Sequence, residues 1–474
     1  MSDDLAFATV VDLGRLLRQR KTSATELATL FLDRLDRLGP SFNAVVTTTR
    51  ERALAEAGQA DREIRQGQWR GPLHGIPYGV KDLLATKGYP TTWGAEPYRE
   101  QRLDADATVV ERLAAAGAVL VAKLAMVELA GGMGYNQANA SFTGPGKTPW
   151  NVAYWSGGSS SGPGAAVAAG LVPFAIGSET SGSILTPAAY CGVTGLRPTY
   201  GLVSRHGAMA LAWTMDKLGP LGRTAEDCAL VLAAIAGPDP RDPSAVARGF
   251  KIPPAARGGG GGSGAGHRFK IGIPKGAAEN IQPEVAANFR ASIAALQDAI
   301  EVVEGVELPD LPYGAVAGMI IAAEGASAFD DLLKTGRLAL LTAPEDRTGG
   351  YPALAISAPD YLRALRVRRP MQRALDAFLK QFDAIATPTR TTVASPIDKP
   401  FRDGWPGITG GANVIGPTNV VGVPGISVPN GFGVQGLPTG LAFAGRAFDE
   451  AKLVTLARLY QSRTDWHTKR PPLA

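Results

Sequence analysis

Ser156-Gly-Gly-Ser-Ser-Ser-Gly-Pro-Gly164 and, further along, Gly177-Ser-Glu-Thr-Ser-Gly-Ser183 are the stretches that decide the fold of this chain. Apolar, alanine-rich sequence follows each of them at once, which indicates loops against a buried helix and strand rather than a free linker. Loops of this composition either bind an anion through backbone N–H groups or carry a nucleophilic serine. A phosphate-binding loop would continue into Gly-Lys-Ser/Thr, which neither stretch does. The sequence therefore favours serine chemistry here.

The composition around these loops is that of a large globular chain. Of 474 residues, 45% are hydrophobic and 19% charged, with 58 glycines, 35 prolines and a net charge of +5. The ample apolar fraction excludes disorder, and the small net charge does not require a nucleic acid. The N-terminus MSDDLAFATV lacks the bases of a signal peptide, and no apolar run reaches about 18 residues. We expect a soluble, cytoplasmic protein with two buried thiols, Cys191 and Cys228.

Short apolar runs alternate with helical patterns along most of the chain. Runs such as Tyr78–Val80 and Phe174–Ile176 alternate with helical segments such as Ala107–Ala116, which predicts an α/β fold with a largely parallel sheet. Residues 257–266 are glycine-rich and are expected to form a flexible loop. Helical patterns within 283–375 indicate a possible cap region.

The residues alone leave two serine mechanisms open. Gly158-Ser-Ser-Ser-Gly162 matches the nucleophile-elbow pattern around Ser160, which would need a histidine base. Of the four histidines, the base would have to be His206, His267 or His467, of which His267 follows the glycine-rich stretch directly and His467 lies seven residues from the C-terminus. The other mechanism uses a lysine kept neutral by burial, and Lys81 follows an apolar strand in Gly75-Ile-Pro-Tyr-Gly-Val-Lys81-Asp82. Spacing does not say which serine attacks.

The chain resembles the amidase signature family of serine hydrolases, and the resemblance covers essentially its whole length. It is carried by Gly75…Asp82, by the two glycine–serine stretches, and by Pro187-Ala-Ala-Tyr-Cys-Gly-Val-Thr-Gly-Leu-Arg-Pro-Thr-Tyr-Gly201. The resemblance implies a single domain over residues 1–474, a large α/β/α sandwich with a mixed, mostly parallel central sheet. It also implies a Ser–cisSer–Lys triad, in which Ser183 is the nucleophile, Ser159 the bridging serine after a cis peptide bond, and Lys81 the base.

The same resemblance assigns the rest of the site. Backbone N–H groups of Thr180, Ser181, Gly182 and Ser183 are expected to form the oxyanion hole, and Gly132 to line the substrate pocket. No metal or cofactor is implied. Asp82, Asp216, His74, Arg197 and Cys191 are expected to be structural supports.

Two departures from the family pattern bear on the substrate. Ser181 replaces a glycine, and Leu185 and Thr186 stand where many members carry an arginine. Since arginine is the natural partner of a carboxylate, its absence argues against acidic substrates. The sequence therefore predicts an amidase acting on neutral, apolar or aryl amides, with possible urethanase (carbamate) or esterase activity.

An alternative is the glutaminase subunit of a tRNA-dependent amidotransferase, which works with partner chains. That subunit carries an aspartate ahead of a Pro-x-Asn-x-x-Gly element, whereas Gly410–Asn419 contains no acid. We therefore expect a small-molecule amide as the only substrate, with no nucleic acid and no membrane among the partners, and a monomer or homodimer.

Overall fold

Eleven strands form one sheet within residues 3–254 and 268–473, which the computed structural model describes. The strands are short and most are buried along their whole length. Their bounds are β1 (Val45–Thr48), β2 (Pro77–Lys81), β3 (Val119–Leu124), β4 (Phe174–Glu179), β5 (Thr194–Arg197), β6 (Lys217–Gly222), β7 (Phe269–Pro274), β8 (Ile300–Val306), β9 (Ala384–Pro388), β10 (Gly425–Phe432) and β11 (Pro438–Ala444).

The sheet is mixed, with the order β1-β3-β2-β4-β6-β5-β10-β11-β9-β7-β8. Parallel pairing joins β2 to both β3 and β4, and β7 to both β8 and β9. The remaining neighbours pair antiparallel. The prediction of an α/β fold around a large mixed sheet is confirmed.

Helices pack against this sheet, with α6 on β4, α8 on β5 and β6, and both α7 and α9 on β10 and β11. The helices of the described residues are α1 (Asp3–Ala6), α2 (Val10–Arg18), α3 (Ala24–Phe42), α4 (Arg50–Arg65), α5 (Thr108–Ala115), α6 (Ser161–Ala168), α7 (Leu185–Cys191), α8 (Ala225–Ile235), α9 (Pro283–Ala295), α10 (Tyr313–Ala328), α11 (Asp330–Thr335), α12 (Asp346–Gly349), α13 (Ala358–Leu379), α14 (Phe401–Gly404), α15 (Ile415–Val421) and α16 (Glu450–Gln461).

The parallel pairing of β2 with β4 brings Lys81 beside the second glycine–serine stretch. Gly79 lies opposite Ala175 and Val80 opposite Ile176, so the carboxyl ends of both strands meet at one edge of the sheet. Because β2 ends at Lys81 and β4 ends at Glu179, the lysine and the second glycine–serine loop emerge side by side.

The domain predictions have different outcomes. The glycine-rich loop at 257–266 and His267 lie outside the described residues. The 283–375 region contains α9, α10, α11, α12 and α13, but also β8, which pairs with β7 in the main sheet. A separate cap in 283–375, and a single domain over 1–474, stay predictions. None of the helices in the described part of the chain is long and apolar enough to cross a membrane.

Candidate active site

Lys81 is held inside the protein at the end of β2. Every residue of this strand is buried, and the lysine side chain has no exposed surface. Its Nζ lies 2.7 Å from Ser159 Oγ and 2.9 Å from Ser178 Oγ. Burial lowers the pKa of Lys81 to about 7, against the pull of the nearby Asp216 and Glu179 charges, which raise it. A large share of the amine is therefore neutral near pH 7 and able to accept a proton.

Ser159 lies in the loop that leads into α6, and its hydroxyl faces Lys81. The peptide bond between Gly158 and Ser159 is cis, as the family resemblance implies. The next residue, Ser160, is also buried, but its hydroxyl donates to the Ser178 carbonyl at 3.1 Å. The lysine therefore contacts Ser159, while Ser160 ties the loop to β4.

Ser183 is half-buried and lies beside this loop, because the Ser160 N–H donates to the Ser183 carbonyl at 3.3 Å. Within the described residues no hydrogen bond joins the hydroxyls of Ser159 and Ser183. Such catalytic contacts are often long in free enzymes and tighten when substrate binds. The structure thus brings Lys81 and Ser159 into direct contact and puts Ser183 next to them.

The loop between β4 and α7 is fixed by Glu179. Its buried carboxylate accepts from the backbone N–H groups of Ile184 and Leu185 at 2.7 and 3.0 Å. It also accepts from Arg197 at 2.9 Å and from Asn419 at 2.7 Å. Burial alone would raise the pKa of Glu179, but the Arg197 charge and these hydrogen bonds hold it below its ordinary value. The carboxylate therefore stays ionised, and its hydrogen bonds tie the end of the loop to its start at Glu179.

Four backbone N–H groups in this loop have no acceptor among the described residues: those of Thr180, Ser181, Gly182 and Ser183. Gly182 has φ +99°, a conformation that side chains rarely adopt, and a Cβ there would lie 3.1 Å from Ile415. Its glycine is therefore required by the turn. Free donors next to a serine hydroxyl are what an oxyanion hole needs.

Thr180 anchors the start of this loop to Asp216. The threonine hydroxyl donates to Asp216 at 2.6 Å, and the other carboxylate oxygen accepts from the N–H groups of Leu211 and Ala212. Burial raises the pKa of Asp216. Asp216 is thus a hydrogen-bonded support, as expected, and Asp82 is another, paired with Lys123 at 2.8 Å.

A cavity of about 410 Å³ opens over the loop and is lined by Thr180, Ser181 and Ser183. One wall is aromatic, and Trp155 stacks on Phe401 with ring centroids 4.3 Å apart. The other aromatic residues of this wall are Tyr135, Tyr190 and Trp405. None of these was predicted as a pocket residue, because they are scattered along the chain, and only Tyr190 lies within a motif of the family resemblance.

Gly132, expected to line the pocket, lies beside it. Its neighbours Ala130 and Gly131 form that part of the wall. Gly132 itself packs against Leu211, where a Cβ would come within 2.3 Å of the leucine side chain. The loop therefore contributes through Gly131, and its close packing explains why a glycine stands at 132.

The elbow at Ser160 finds little support in the geometry. No strand leads into it, since the residues between Lys147 and Trp155 make only isolated bridges. Of the histidines in the described residues, His206 lines an adjoining cavity of about 160 Å³, which shares Ala130, Thr180 and Leu211 with the first, and His74 pairs with Glu63 at 3.0 Å. In the same part of the chain, no group of three His, Cys, Asp or Glu side chains is arranged to hold a metal ion.

Comparison with known proteins identifies the class. The family model "Amidase" matches residues 26–454, so the chain belongs to the amidase family, and the predicted resemblance is confirmed. It is similar to a glutamyl-tRNA(Gln) amidotransferase subunit from Moorella thermoacetica, with 38% identity over 99% of each chain. Among solved structures it resembles the peptide amidase of Stenotrophomonas maltophilia, with 32% identity, 98% coverage of each chain and a TM-score of 0.82. It also resembles the corresponding amidotransferase subunit from Thermotoga maritima, with 29% identity, coverage of 100% and 99%, and a TM-score of 0.80.

This comparison corrects one expectation. A monomer or homodimer that takes only a small-molecule amide, without nucleic acid, was expected from the missing acid in Gly410–Asn419. The prediction was wrong, because curated relatives of nearly equal length are named as subunits of the glutamyl-tRNA(Gln) amidotransferase. The missing acidic side chain is one local difference, whereas the similarity extends over 99% of the chain.

Proposed function

We propose that this chain cleaves a carboxamide C–N bond through an acyl-enzyme on Ser183, as the amide-hydrolysing subunit of a tRNA-dependent amidotransferase. The observation that carries the chemistry is the 2.7 Å contact between the Lys81 amine and the Ser159 hydroxyl, beside a cavity lined by Ser183. The amidotransferase role is supported by the 38% identity with the Moorella subunit over 99% of both chains.

The first half of the reaction forms the acyl-enzyme. Neutral Lys81 accepts the proton of Ser159, which accepts the proton of Ser183 as Ser183 Oγ bonds to the carbonyl carbon. The N–H groups of Thr180 to Ser183 stabilise the negative charge that develops on the carbonyl oxygen. The C–N bond then breaks while Ser159 gives its proton to the leaving nitrogen and recovers one from Lys81. With glutamine the leaving group is ammonia.

The second half returns the enzyme to its starting state. A water molecule attacks the ester carbon of the acyl-Ser183, and Lys81 again accepts a proton through Ser159. Collapse of this second tetrahedral intermediate returns a proton to Ser183 and releases the carboxylic acid. In an amidotransferase the ammonia released in the first half is the nitrogen donor for glutamyl-tRNA.

Isolation of the tagged chain from its native cells, with whatever subunits remain bound, tests this role. The preparation should form glutaminyl-tRNA from glutamyl-tRNA and glutamine when ATP is supplied, because the glutamyl carboxylate must be activated before ammonia can displace its oxygen. Ser183→Ala should abolish this reaction with glutamine while leaving the assembly intact. A preparation that contains this chain alone and forms no glutaminyl-tRNA would contradict the amidotransferase role.

A second candidate is the hydrolysis of neutral apolar or aryl amides, with carbamates and esters as further substrates. Two observations favour it: the wall of the cavity is aromatic, and its lining among the described residues contains no aspartate or glutamate to bind the ammonium group of glutamine. A panel of p-nitroanilides, urethanes and esters with varied acyl chains tests this candidate. Rates on anilides that exceed the rate on glutamine by about 100-fold would favour it.

A further inference from the structure

Arg390 presents a positive charge to the cavity that contains Ser183. It follows β9, whose residues are all buried, and the intervening Thr389 is fixed by the Gly440 carbonyl at 2.7 Å and by Ser427 at 2.8 Å. Arg390 itself is exposed, and it shares the lining of the cavity with Ser183 and Tyr190. A rigid strand end therefore directs an arginine toward the site.

This guanidinium has no counter-ion in the part of the chain that the structure describes. None of the ion pairs there includes Arg390, and the cavity lining contains no carboxylate. Its close neighbour is Tyr190, whose hydroxyl lies 3.4 Å from Thr392. The electrostatic influence of Tyr190 raises the pKa of Arg390, so the side chain is charged at every working pH.

A planar guanidinium recognises carboxylates through two parallel hydrogen bonds, and Arg390, which is hydrogen-bonded to Tyr190 but to no carboxylate of the described residues, keeps other N–H donors to make them. Leu185 and Thr186 leave the start of α7 uncharged, which argued against acidic substrates. Tyr190 belongs to the same helix and lies against Arg390. The positive charge that is absent from the start of α7 is therefore supplied by Arg390, which follows β9.

We propose that Arg390 is a specificity-determining residue that binds a carboxylate on the acyl part of the substrate, so that the favoured substrates are ω-amides of dicarboxylic acids. This proposal rests on amide cleavage at Ser183. It deepens the proposed function, because glutamine is an amide of this class: its α-carboxylate would meet Arg390 while its carboxamide lies at Ser183.

Three amides of similar length separate the contributions of charge. Glutaramate has the carboxylate but no ammonium group, glutamine has both, and valeramide has neither. For the wild-type enzyme we expect kcat/KM for glutaramate to exceed that for valeramide by at least about 10-fold, the size of a charge-assisted hydrogen bond. Arg390→Met should lower kcat/KM for glutaramate by about 10- to 100-fold, mainly through KM, and change valeramide less than about twofold. Arg390→Lys should restore part of the loss.

Arg37→Met is the matched control, because Arg37 is exposed on α3 and its substitution also removes one positive charge. It should leave all three substrates unchanged. An equal loss on glutaramate and valeramide in Arg390→Met would overturn the proposal, as would a wild-type enzyme that hydrolyses valeramide as well as glutaramate. Activity on glutaramate that depends on Arg390, with no reaction on glutamine, would support this proposal and contradict the glutaminase role.

Discussion

The carboxyl group of Asp346 lies against that of Glu128 in the interior of the protein. Glu128 begins the turn that ends at Gly131 in the cavity wall, and Asp346 begins α12. The Glu128 carboxylate accepts from the N–H groups of Thr342 and Ala343, each at 2.8 Å. Burial, and then the Glu128 charge, raise the pKa of Asp346 to about 8. At neutral pH a proton bound to Asp346 therefore prevents repulsion between the two carboxyl groups.

Asp346→Asn should make the stability of the protein less dependent on pH. The folded state binds the Asp346 proton more tightly than the unfolded chain does, so the free energy of unfolding falls as pH rises from about 4 to about 8. Between pH 6 and pH 8, ionisation of Asp346 should lower the free energy of unfolding by roughly 2 kcal/mol. Urea unfolding at both pH values should show that loss in the wild type and a smaller loss in Asp346→Asn. An identical loss in both proteins would mean that Asp346 titrates normally.

Glu179→Gln should slow the chemical step more than it weakens binding. The amide keeps the size of the side chain but no longer carries the charge that pairs with Arg197. The hydrogen bond to the Ile184 N–H is weakened as well, so the loop from Thr180 to Ser183 is held less firmly. We expect kcat to fall by about 100-fold, the scale of losing one oxyanion donor, with KM little changed. Steady-state kinetics on glutamine measure this. A rise in KM at constant kcat would show that Glu179 acts on binding instead.

A double variant that combines Glu179→Gln with Arg197→Met tests whether Glu179 and Arg197 act as one unit. Because each substitution removes the same ion pair, kcat of the double variant should be little lower than that of either single variant. Fully additive losses would contradict a shared role in fixing the loop.

His206→Ala should leave most of the activity. His206 lines the adjoining 160 Å³ cavity, whereas the proposed base, Lys81, contacts Ser159 directly. The variant should keep kcat/KM within about threefold of the wild type. A loss of more than about 100-fold, the scale of a general base, would restore a histidine mechanism.

Local sequence signals predicted much of the scaffold. Ser23 and Glu26 form a capping box, a pattern readable in the sequence, and α3 begins directly after it at Ala24; the apolar run Tyr78–Val80 lies inside β2. One of the helical patterns within 283–375 covers Ala315–Lys334, and the structure breaks it between α10 and α11. Neither glycine nor proline marks that break: Phe329 is buried against Trp93, with ring centroids 6.2 Å apart, and long-range packing of this kind overrides helical propensity.

The site was predictable only where its residues lie within contiguous motifs. Lys81, Ser159 and Ser183 stand in such motifs. Arg390 does not, because its position in the cavity depends on the contact of the segment after β9 with Tyr190 of α7, two parts far apart in the chain. Contacts over such sequence separations leave no local pattern, so the residue that we propose to select the substrate was found only in the structure.

The pH dependence of kcat/KM for glutaramate tests the central claim, that neutral Lys81 drives attack by Ser183. Because burial lowers the pKa of Lys81 to about 7, activity should fall as pH decreases through about 7 and the amine becomes protonated. The same fall in kcat/KM at low pH should appear in His206→Ala. A profile that stays flat down to pH 5 would contradict a lysine base.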